Sequence, residues 1–360
     1  MKILLIANSG LFLEKFKTEL IERLSMEHQL TVAPRIESNE FEQSDLSRVS
    51  FQDYRITRRS VNPLKELFTF IDLLRLVRTT EADLLITFTI KPNLYVGIIS
   101  KLLKVRNIRV VTGLGKAFNS GKPSELFFKF LYKITSSYNS IIIFENKTIM
   151  EYFKKNNIGF NHICLMGSGV NLRQFQLHPY PSNEKIRFLF VGRIMKEKGV
   201  IELITACKSL ISKGFNFNLR LVGSIEESFD FSNLGEWFEF LGYKDSVMDD
   251  YISCDALILP SYHEGLPNVV LEAGAIGRPS LVSDIPGCND VIEDGYNGLL
   301  FKAKDAESLE NIITNFLEMS PIRREQMGIN ARKKVEQVYD RQVVNSHYLN
   351  IIENSFLNVR

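Results

Sequence analysis

The sequence predicts an α/β protein made of two Rossmann-like domains, each with a doubly wound parallel sheet. Short, continuously apolar runs alternate with longer segments of helical periodicity, which is typical of parallel strands covered by helices on both faces. This alternation starts again after a turn-rich and proline-rich stretch between residues 167 and 183. A chain of 360 residues is also too long for one ordinary hydrophobic core and fits two domains.

The first half predicts strands that alternate with helices. The strands are the apolar runs Ile3–Ala7, Leu84–Phe88, Arg109–Thr112 and Ser140–Phe144. The helices are the segments near Phe12–Ser25, Pro63–Arg78, Pro92–Leu103 and Ser124–Thr135. Right-handed crossovers between such strands produce an open parallel sheet.

The second half repeats the arrangement after an exposed linker at 178–183. Its strands are predicted at Arg187–Val191, Leu219–Val222, Ala256–Leu259, Ser280–Val282 and Leu299–Phe301. Its helices are predicted from Gly199 onward, at Pro267–Ile276 and at Glu307–Leu317. We therefore expect domains at 1–175 and 176–341, with ligands bound in a cleft between the carboxyl ends of the two sheets. A last helix at about 342–360 could return to the first domain or pack on the second.

The composition excludes several classes of function. The formal net charge is +2, whereas a nucleic-acid-binding protein would carry a strongly basic face, so no nucleic-acid partner is expected. The cysteines are far apart, as in a reduced cytoplasmic protein, and do not suggest disulfides or a zinc site. No apolar run approaches the ~18 residues of a membrane-spanning helix, and the start of the chain resembles a buried strand more than a signal peptide.

Two segments of the second half contain residues suited to hold a phosphate group. The first, Val191–Gly199, joins a strand to a helix and contains Arg193 and Lys198, whose charges can bind phosphate oxygens. A solvated basic turn would have the same composition. The second segment, Ser261–Glu272, follows a buried strand, and Pro267 is predicted as the first residue of its helix.

The second segment would combine an anion site with two carboxylates. The free amides at its helix start attract an anion, and Gly265 lets the backbone approach a ligand. Glu264 precedes the helix and Glu272 lies more than one turn into it. Two carboxylates near a phosphate site suggest recognition of sugar and ribose hydroxyls, although a loop charge and a solvated helix residue would also account for them. A third segment, Asp284–Leu299, contains two tight turns around a short helix and need only be structural.

These motifs, in this order, resemble glycosyltransferase family 4, whose members are retaining enzymes of the GT-B fold with two Rossmann-like domains facing across a cleft. Glu264 and Glu272, with seven residues between them, match the paired glutamates of that family. One branch of the family extends undecaprenyl-diphosphate-linked saccharides for capsule, O-antigen or protein glycosylation, and it includes hexosaminyltransferases. The segments of this chain that resemble that branch are Thr87–Asn93 and Thr112–Gly115. The resemblance covers nearly the whole chain. It implies a UDP-sugar donor, which supplies a hexose or N-acetylhexosamine, and a lipid-linked saccharide acceptor.

The resemblance also assigns roles to residues. Arg193 and Lys198 match the residues that hold the donor diphosphate. Glu264 matches the glutamate that contacts the donor sugar, and Glu272 the one that binds ribose. Three further matches concern the backbone. One surrounds the sugar and phosphate, at Gly265, Leu266, Pro267, Asn268 and Val269. The others place the backbone of Tyr243 and Lys244 near the base, and Gly10 near the diphosphate. One departure is that many members have a histidine where this chain has Thr112–Gly115, which leaves the contribution of the first domain unassigned.

Transfer without a metal is expected from the residues around the predicted phosphate site. The sequence has no Asp-x-Asp pair at a predicted strand end, and Asp249–Asp250 is an adjacent pair in a predicted helix. We therefore expect no metal and no cofactor, with Arg193, Lys198 and the helix start neutralising the leaving diphosphate. Glu264 could act as a covalent nucleophile or as an electrostatic stabiliser.

Apolar and basic residues are interleaved between residues 124 and 138. They are Phe127, Phe128, Phe130 and Leu131 with Lys129 and Lys133. Such a helix could lie on the surface of the inner membrane, close to a lipid-linked acceptor, and the protein would then be cytoplasmic and peripheral. It could equally be a core helix with two lysines that extend to solvent.

Two other functions share parts of this pattern. A UDP-sugar 2-epimerase also uses two Rossmann-like domains, but it would need further acid/base carboxylates and no acceptor. A non-catalytic, sugar-nucleotide-binding subunit of a polysaccharide assembly complex would be compatible with the missing histidine. The order Glu264-Gly-Leu-Pro…Glu272 argues against the epimerase. The intact Arg193, Lys198, Glu264 and Glu272 argue against the non-catalytic subunit.

Overall fold

The chain folds into two compact units. Unit 1 extends from Met1 to Ser168 and takes in the C-terminal segment from Val344, and unit 2 extends from Gly169 to Val343. The assignment of acceptor binding to the first and donor binding to the second stays a prediction. The structure is a computed structural model that describes residues 1–34, 46–56, 62–113 and 123–357.

The described residues of unit 1 form a seven-stranded parallel sheet. Its strands are β1 Lys2–Ile6, β2 Gln29–Ala33, β3 Val49–Phe51, β4 Leu84–Phe88, β5 Arg106–Val111, β6 Ser140–Phe144 and β7 Asn161–Cys164. They lie in the order β3-β2-β1-β4-β5-β6-β7, so the chain winds outward from β1 in both directions. The edge strands β3 and β7, and β2 beside β3, were not predicted, because each contains exposed or partly buried residues and so lacks the continuous apolar pattern.

Helices cover both faces of this sheet. They are α1 Gly10–Glu27, α2 Pro63–Thr80, α3 Ile90–Leu103, α4 Pro123–Thr135 and α5 Lys147–Lys155. One face packs buried leucines of α1 against β1, β4 and β5. The other packs α2, α3, α4 and α5 in two further apolar clusters. The sheet is therefore buried between two helical layers, as its apolar strands require.

Unit 2 contains a six-stranded parallel sheet with the order β10-β9-β8-β11-β12-β13. Its strands are β8 Ile186–Val191, β9 Phe217–Val222, β10 Phe238–Phe240, β11 Ala256–Leu259, β12 Ser280–Ser283 and β13 Gly298–Phe301. Its helices are α6 Val200–Ser212, α7 Met248–Ser253, α8 Asn268–Ile276, α9 Cys288–Val291, α10 Ala306–Glu318 and α11 Pro321–Lys334. A 3-10 turn at Lys196–Lys198 precedes α6. The central strands β8 and β11 are neighbours, so the loops that follow them lie at the same edge.

The last helix, α12 Arg341–Leu357, begins in unit 2 and continues into unit 1. Val344, Tyr348 and Ile352 are spaced four residues apart and therefore share one face of the helix. All three are buried in the same apolar cluster as α1 and β4. The end of the chain is thus part of the hydrophobic core of unit 1.

The interior of unit 1 contains a buried ion pair beneath α12. The Nζ of Lys17, on α1, lies 3.7 Å from a carboxylate oxygen of Glu145, and both side chains are almost completely buried. The same ammonium lies over the rings of Phe88 and Tyr348, 5.1 and 4.7 Å from their centres. Ser168, the last residue before unit 2, donates a hydrogen bond to Glu145 at 3.2 Å. Burial raises the pKa of the Glu145 carboxyl, and Lys17 opposes that rise.

Candidate functional site

The first predicted phosphate segment is a compact loop at the carboxyl end of β8. The amide of Ile194 donates to the carbonyl of Ser224, which joins the loop to the end of β9 at 2.8 Å. Gly199 has a φ of +71°, and a Cβ there would lie 2.0 Å from the carbonyl oxygen of Pro260. Only glycine fits this position, because it tolerates the left-handed backbone and has no Cβ. The loop is therefore packed directly on the segment that follows β11.

Lys198 and Glu264 meet where these two segments touch. The Nζ of Lys198 lies 2.5 Å from a carboxylate oxygen of Glu264, and the two side chains are 21% and 13% exposed. One residue from each predicted segment is thus brought into direct contact. Water screens a pair this enclosed less than it screens a surface pair, so the two charges interact strongly with each other and with any ligand beside them.

Arg193 lies on the same loop, but its guanidinium is bound elsewhere. Its Nη1 lies 3.2 Å from the carboxylate of Glu226, and its side chain is 49% exposed. Glu226 follows β9 and was not predicted as a site residue. Exposed pairs of this kind contribute little free energy. A phosphate group could therefore replace Glu226 as the partner of Arg193.

The helix expected to begin at Pro267 begins one residue later. Helix α8 starts at Asn268, and Pro267 has extended backbone angles, with φ −79° and ψ 100°. The carbonyl of Pro267 accepts hydrogen bonds from the amides of Val270 and Leu271. The ring of proline restrains φ but leaves ψ to the loop, so the sequence alone did not distinguish the two positions. The anion site stays a prediction and is compatible with this correction, because the amides of Asn268 and Val269 precede the first hydrogen bond inside the helix.

The third predicted segment supports the turn that contains Gly265. Gly287 has a φ of +88°, and a Cβ there would lie 2.1 Å from the carbonyl oxygen of Gly265. The side-chain amide of Asn289 donates to Asp284 at 2.9 Å and closes the neighbouring turn. The segment was expected to be structural only. Its structural contribution is to fix the position of the backbone next to Glu264.

Glu272 lies in the second turn of α8 and is partly buried. The hydroxyl of Tyr251, on α7, donates a hydrogen bond to Glu272 Oε2 at 2.8 Å. Burial raises the pKa of Tyr251 far above its ordinary value, and the charge of Glu272 adds to the rise. Tyr251 therefore stays protonated at neutral pH and remains a donor to Glu272.

Tyr243 and Lys244, predicted near the base, follow the edge strand β10. The side chain of Tyr243 is exposed. The ammonium of Lys244 donates to both oxygens of Asp250, at 2.9 and 2.8 Å. Asp250 is thus bound to a cation of the protein. Among the residues that the structure describes, no group of three His, Cys, Asp or Glu side chains could hold a metal ion.

The remaining predicted features lie in unit 1. Gly10 is the buried first residue of α1, shortly after β1, and the Ser9 hydroxyl accepts from the amide of Phe12 at this helix start. Its contact with the diphosphate stays a prediction. Thr112 and Gly113 follow β5, and the rest of that motif, residues 114–115, lies outside the described residues.

Sequence reasoning missed several residues that hold the predicted ones in place. Glu226 binds Arg193, and Tyr251 binds Glu272. The hydroxyl of Tyr262, two residues before Glu264, donates to Glu202 of α6 at 2.6 Å. Each partner is between 21 and 60 residues away along the chain, so no local pattern could have indicated these pairs.

Comparisons with known proteins account for both units. Residues 174–334 match the family model Glycosyl transferases group 1, and residues 2–146 match Glycosyl transferase 4-like. The chain is 30% identical over 329 residues to N,N'-diacetylbacillosaminyl-diphospho-undecaprenol alpha-1,3-N-acetylgalactosaminyltransferase of Campylobacter jejuni, covering 85% of this chain and 86% of that protein. The chain belongs to glycosyltransferase family 4. The resemblance found in its motifs is thereby confirmed, and the protein is a glycosyltransferase.

The glycosyltransferase has further relatives with similar coverage. It is 26% identical over 312 residues to the capsular polysaccharide biosynthesis glycosyltransferase CapM of Staphylococcus aureus, covering 80% of each chain. It is 25% identical over 312 residues to UDP-Gal:alpha-D-GlcNAc-diphosphoundecaprenol alpha-1,3-galactosyltransferase of Escherichia coli, covering 78% of this chain and 80% of that protein.

Solved structures show the fold of the glycosyltransferase. Anabaena HepE, in complex with UDP and glucose, matches with a TM-score of 0.79 at 16% identity, covering 98% of this chain and 99% of that one. Sucrose-phosphate synthase from Thermosynechococcus elongatus also matches with a TM-score of 0.79 at 16% identity, covering 99% and 100% of the two chains. At this identity the likeness concerns the fold alone. The predicted GT-B fold is confirmed.

Proposed function

We propose that the enzyme transfers a hexose or N-acetylhexosamine from a UDP-sugar to an undecaprenyl-diphosphate-linked saccharide, with retention at the anomeric carbon. The observation that carries this proposal is the enclosed Lys198–Glu264 pair beside the start of α8. It combines a cation, a carboxylate and free amides at the carboxyl edge of a parallel sheet, where such sheets bind ligands. The C. jejuni and E. coli relatives are named as transferases to sugars on diphospho-undecaprenol, which supports the acceptor class.

Each part of the donor has a binding group in this proposal. Arg193, Lys198 and the first amides of α8 bind the diphosphate. Glu264 contacts the sugar, and Glu272 accepts hydrogen bonds from the ribose hydroxyls. The base lies against the backbone of Tyr243 and Lys244. The backbone that passes closest to sugar and phosphate is that of Gly265, Leu266, Pro267, Asn268 and Val269.

The leaving UDP must be stabilised as negative charge develops on its outer phosphate. Fixed cations and a helix start can do this without a metal, because they are already oriented before the reaction. The ammonium of Lys198 has three N–H donors, so it can bind a phosphate oxygen while it remains bonded to Glu264. As the bond between the anomeric carbon and the phosphate oxygen breaks, the carboxylate of Glu264 can stabilise positive charge on that carbon or attack it as a nucleophile. The acceptor hydroxyl then bonds to the anomeric carbon, displacing Glu264 if it has attacked, and gives its proton to an oxygen of the leaving diphosphate.

The proposal predicts that UDP is released only when acceptor is present. The full chain is incubated with UDP-hexoses and UDP-N-acetylhexosamines, a short saccharide on a lipid diphosphate, and EDTA. We expect UDP release with one donor, a product of retained anomeric configuration, and no effect of EDTA. A rate that EDTA abolishes and Mg²⁺ restores would contradict the metal-free mechanism. Donor epimerisation without acceptor would indicate an epimerase, and UDP binding without turnover on any acceptor a non-catalytic subunit.

We propose further that α4 lies on the membrane surface that carries the acceptor. Four large apolar side chains of this helix are between 45% and 68% exposed: Leu126, Phe127, Phe130 and Ile134. A helix wholly buried in the core would have covered them, and Tyr132 on its opposite face is indeed fully buried. Lys133 is exposed, whereas Lys129 pairs with Glu125 at 2.8 Å. No helix in the described part of the chain is long and apolar enough to cross a bilayer.

The charge of the surrounding helices favours an anionic lipid surface. Helices α2, α3, α4 and α5 together contain ten basic and four acidic residues, although the whole chain has a net charge of only +2. Three of the acidic residues, Glu66, Glu125 and Glu151, are paired with lysines of the same set, Lys91, Lys129 and Lys154. A basic surface with an apolar face is typical of peripheral membrane binding.

Flotation with vesicles of phosphatidylglycerol and phosphatidylethanolamine tests this membrane surface. We expect a Phe127→Ser/Phe130→Ser/Lys133→Glu variant to lose roughly tenfold or more in vesicle binding, because apolar burial and charge attraction are both removed. Lys129 is left unchanged, since its replacement would also break the pair with Glu125. The control is Ile322→Ser, which removes an apolar side chain that is 79% exposed on α11. Equal binding by the variant and the native chain would contradict the proposal.

A further inference from the structure

Helix α7 is in contact with both of the segments proposed to bind the nucleoside. Two consecutive side chains of this helix make the contacts: Asp250 binds the ammonium of Lys244, and Tyr251 binds the carboxylate of Glu272. Asp250 is 5% exposed and Tyr251 is completely buried. Their partners are both partly accessible to solvent. Buried side chains of one helix therefore hold two groups that can reach a ligand.

The helix itself is fixed in place from several sides. The fully buried guanidinium of Arg278 donates to the carbonyl of Ile252 at 2.8 Å. The ring of Tyr251 packs edge-on against Phe175, with ring centres 6.3 Å apart. The side-chain amide of Asn183 donates to the carbonyl of Ser253 at 3.1 Å. These contacts leave α7 little freedom, so it can act as a rigid support for its partners.

We infer that α7 sets the geometry of nucleoside binding, with Tyr251 as a positioning residue for Glu272 and Asp250 as one for the segment at Tyr243–Lys244. This inference rests on the proposed use of a UDP-sugar. The hydroxyl of Tyr251 restrains rotation of the Glu272 carboxylate, so ribose hydroxyls meet an acceptor that is already oriented. Two hydrogen bonds from Lys244 to Asp250 restrain the neighbouring backbone in the same way. Such preorganisation raises affinity because less freedom is lost on binding.

Binding of UDP and of 2′,3′-dideoxy-UDP, measured by calorimetry, tests the role of Tyr251. We expect the native chain to bind UDP more tightly, because only UDP offers hydroxyls to Glu272. Tyr251→Phe keeps the buried ring and should weaken UDP binding roughly tenfold while leaving dideoxy-UDP binding within about twofold. In turnover assays the variant should raise the donor KM much more than it lowers kcat. The control is Asp249→Asn, which alters the exposed neighbour on the same helix and should match the native chain.

The outcomes separate this inference from the function on which it rests. Equal loss of affinity for both ligands in Tyr251→Phe would mean a general structural role and would overturn the inference. If Tyr251→Phe still prefers UDP over dideoxy-UDP as strongly as the native chain does, the inference is also overturned, and Glu272 remains the ribose-binding residue. If the native chain binds UDP but does not distinguish it from dideoxy-UDP, the ribose role of Glu272 is wrong as well. If UDP does not bind to the native chain at all, the proposed function itself is wrong.

Asp250 is tested through the base instead of the ribose. Asp250→Asn should lose part of the preference for UDP over CDP, since the backbone at Tyr243–Lys244 would no longer be restrained by the ion pair. Its discrimination between UDP and dideoxy-UDP should persist, because Tyr251 and Glu272 are unchanged. An unaltered preference for UDP over CDP would overturn the role assigned to Asp250.

Discussion

Replacing Lys198 with alanine is expected to lower kcat by roughly 10²–10³, the usual effect of removing one preorganised group that stabilises developing charge. The ammonium lies 2.5 Å from Glu264 and is mostly shielded from water, so no solvent cation can take its place in a fixed geometry. The measurement is UDP release at saturating donor and acceptor. Because the loss concerns the leaving group, it should appear in kcat and not only in the donor KM.

Lys196→Ala is the matched control for this loss. Lys196 belongs to the same 3-10 turn, but its side chain is exposed. Its backbone amide donates to Glu227 and its carbonyl accepts from the amide of Gly199, so the substitution leaves both bonds in place. It should keep nearly native kcat. Glu264→Gln removes the charge at the other end of the pair and should also cause a large loss. Near-native turnover in Lys198→Ala or in Glu264→Gln would contradict the role of the corresponding residue.

Replacing Lys17 with methionine is expected to destabilise unit 1 by about 3–5 kcal/mol, because it leaves the buried carboxylate of Glu145 without its cation. The change also removes the ammonium from between Phe88 and Tyr348, and therefore a contact between α12 and the core. The measurement is denaturant unfolding of the full chain, with hydrogen exchange of α12 reporting on unit 1 separately. Hydrogen exchange of the α12 amides should accelerate as the free energy of unfolding falls.

A double variant distinguishes the electrostatic cause from simple loss of packing. Lys17→Met/Glu145→Gln removes both charges, so most of the stability lost in Lys17→Met should return. The exposed pair of Lys154 and Glu151 on α5 gives a matched comparison, and Lys154→Met should change stability by no more than about 1 kcal/mol. If the double variant were as unstable as Lys17→Met, the charge of Glu145 would not be the cause.

Much of the architecture could be predicted because buried parallel strands leave a continuous apolar pattern. Leu84–Phe88, Ser140–Phe144 and Ala256–Leu259 have the bounds that the pattern predicted. The short strand Phe238–Phe240, at the sheet edge of unit 2, has no such pattern and was missed. The start of α8 was wrong by one residue, because proline is compatible with both the first helical position and the one before it.

The candidate site was predicted less completely than the fold. Lys198 and Glu264 were each ambiguous in the sequence, since a basic turn or a loop carboxylate would have looked the same. Their contact depends on the pairing of β8 with β11 and on the packing of Gly199 against Pro260. Neither of these features can be read from residues that are near each other in the chain.

The sequence by itself determined the two Rossmann-like sheets and the family, because these depend on periodicity and on the order of local motifs. It also predicted two segments as phosphate-binding. Only the tertiary structure decided which charges are paired. Lys17 has the sequence context of an ordinary helix lysine, yet it is buried with Glu145. Of the two adjacent aspartates of α7, only Asp250 is buried and bound to a cation. The physical reason is that a charge acquires its environment from partners distant in the chain, and burial then determines how strongly that charge acts.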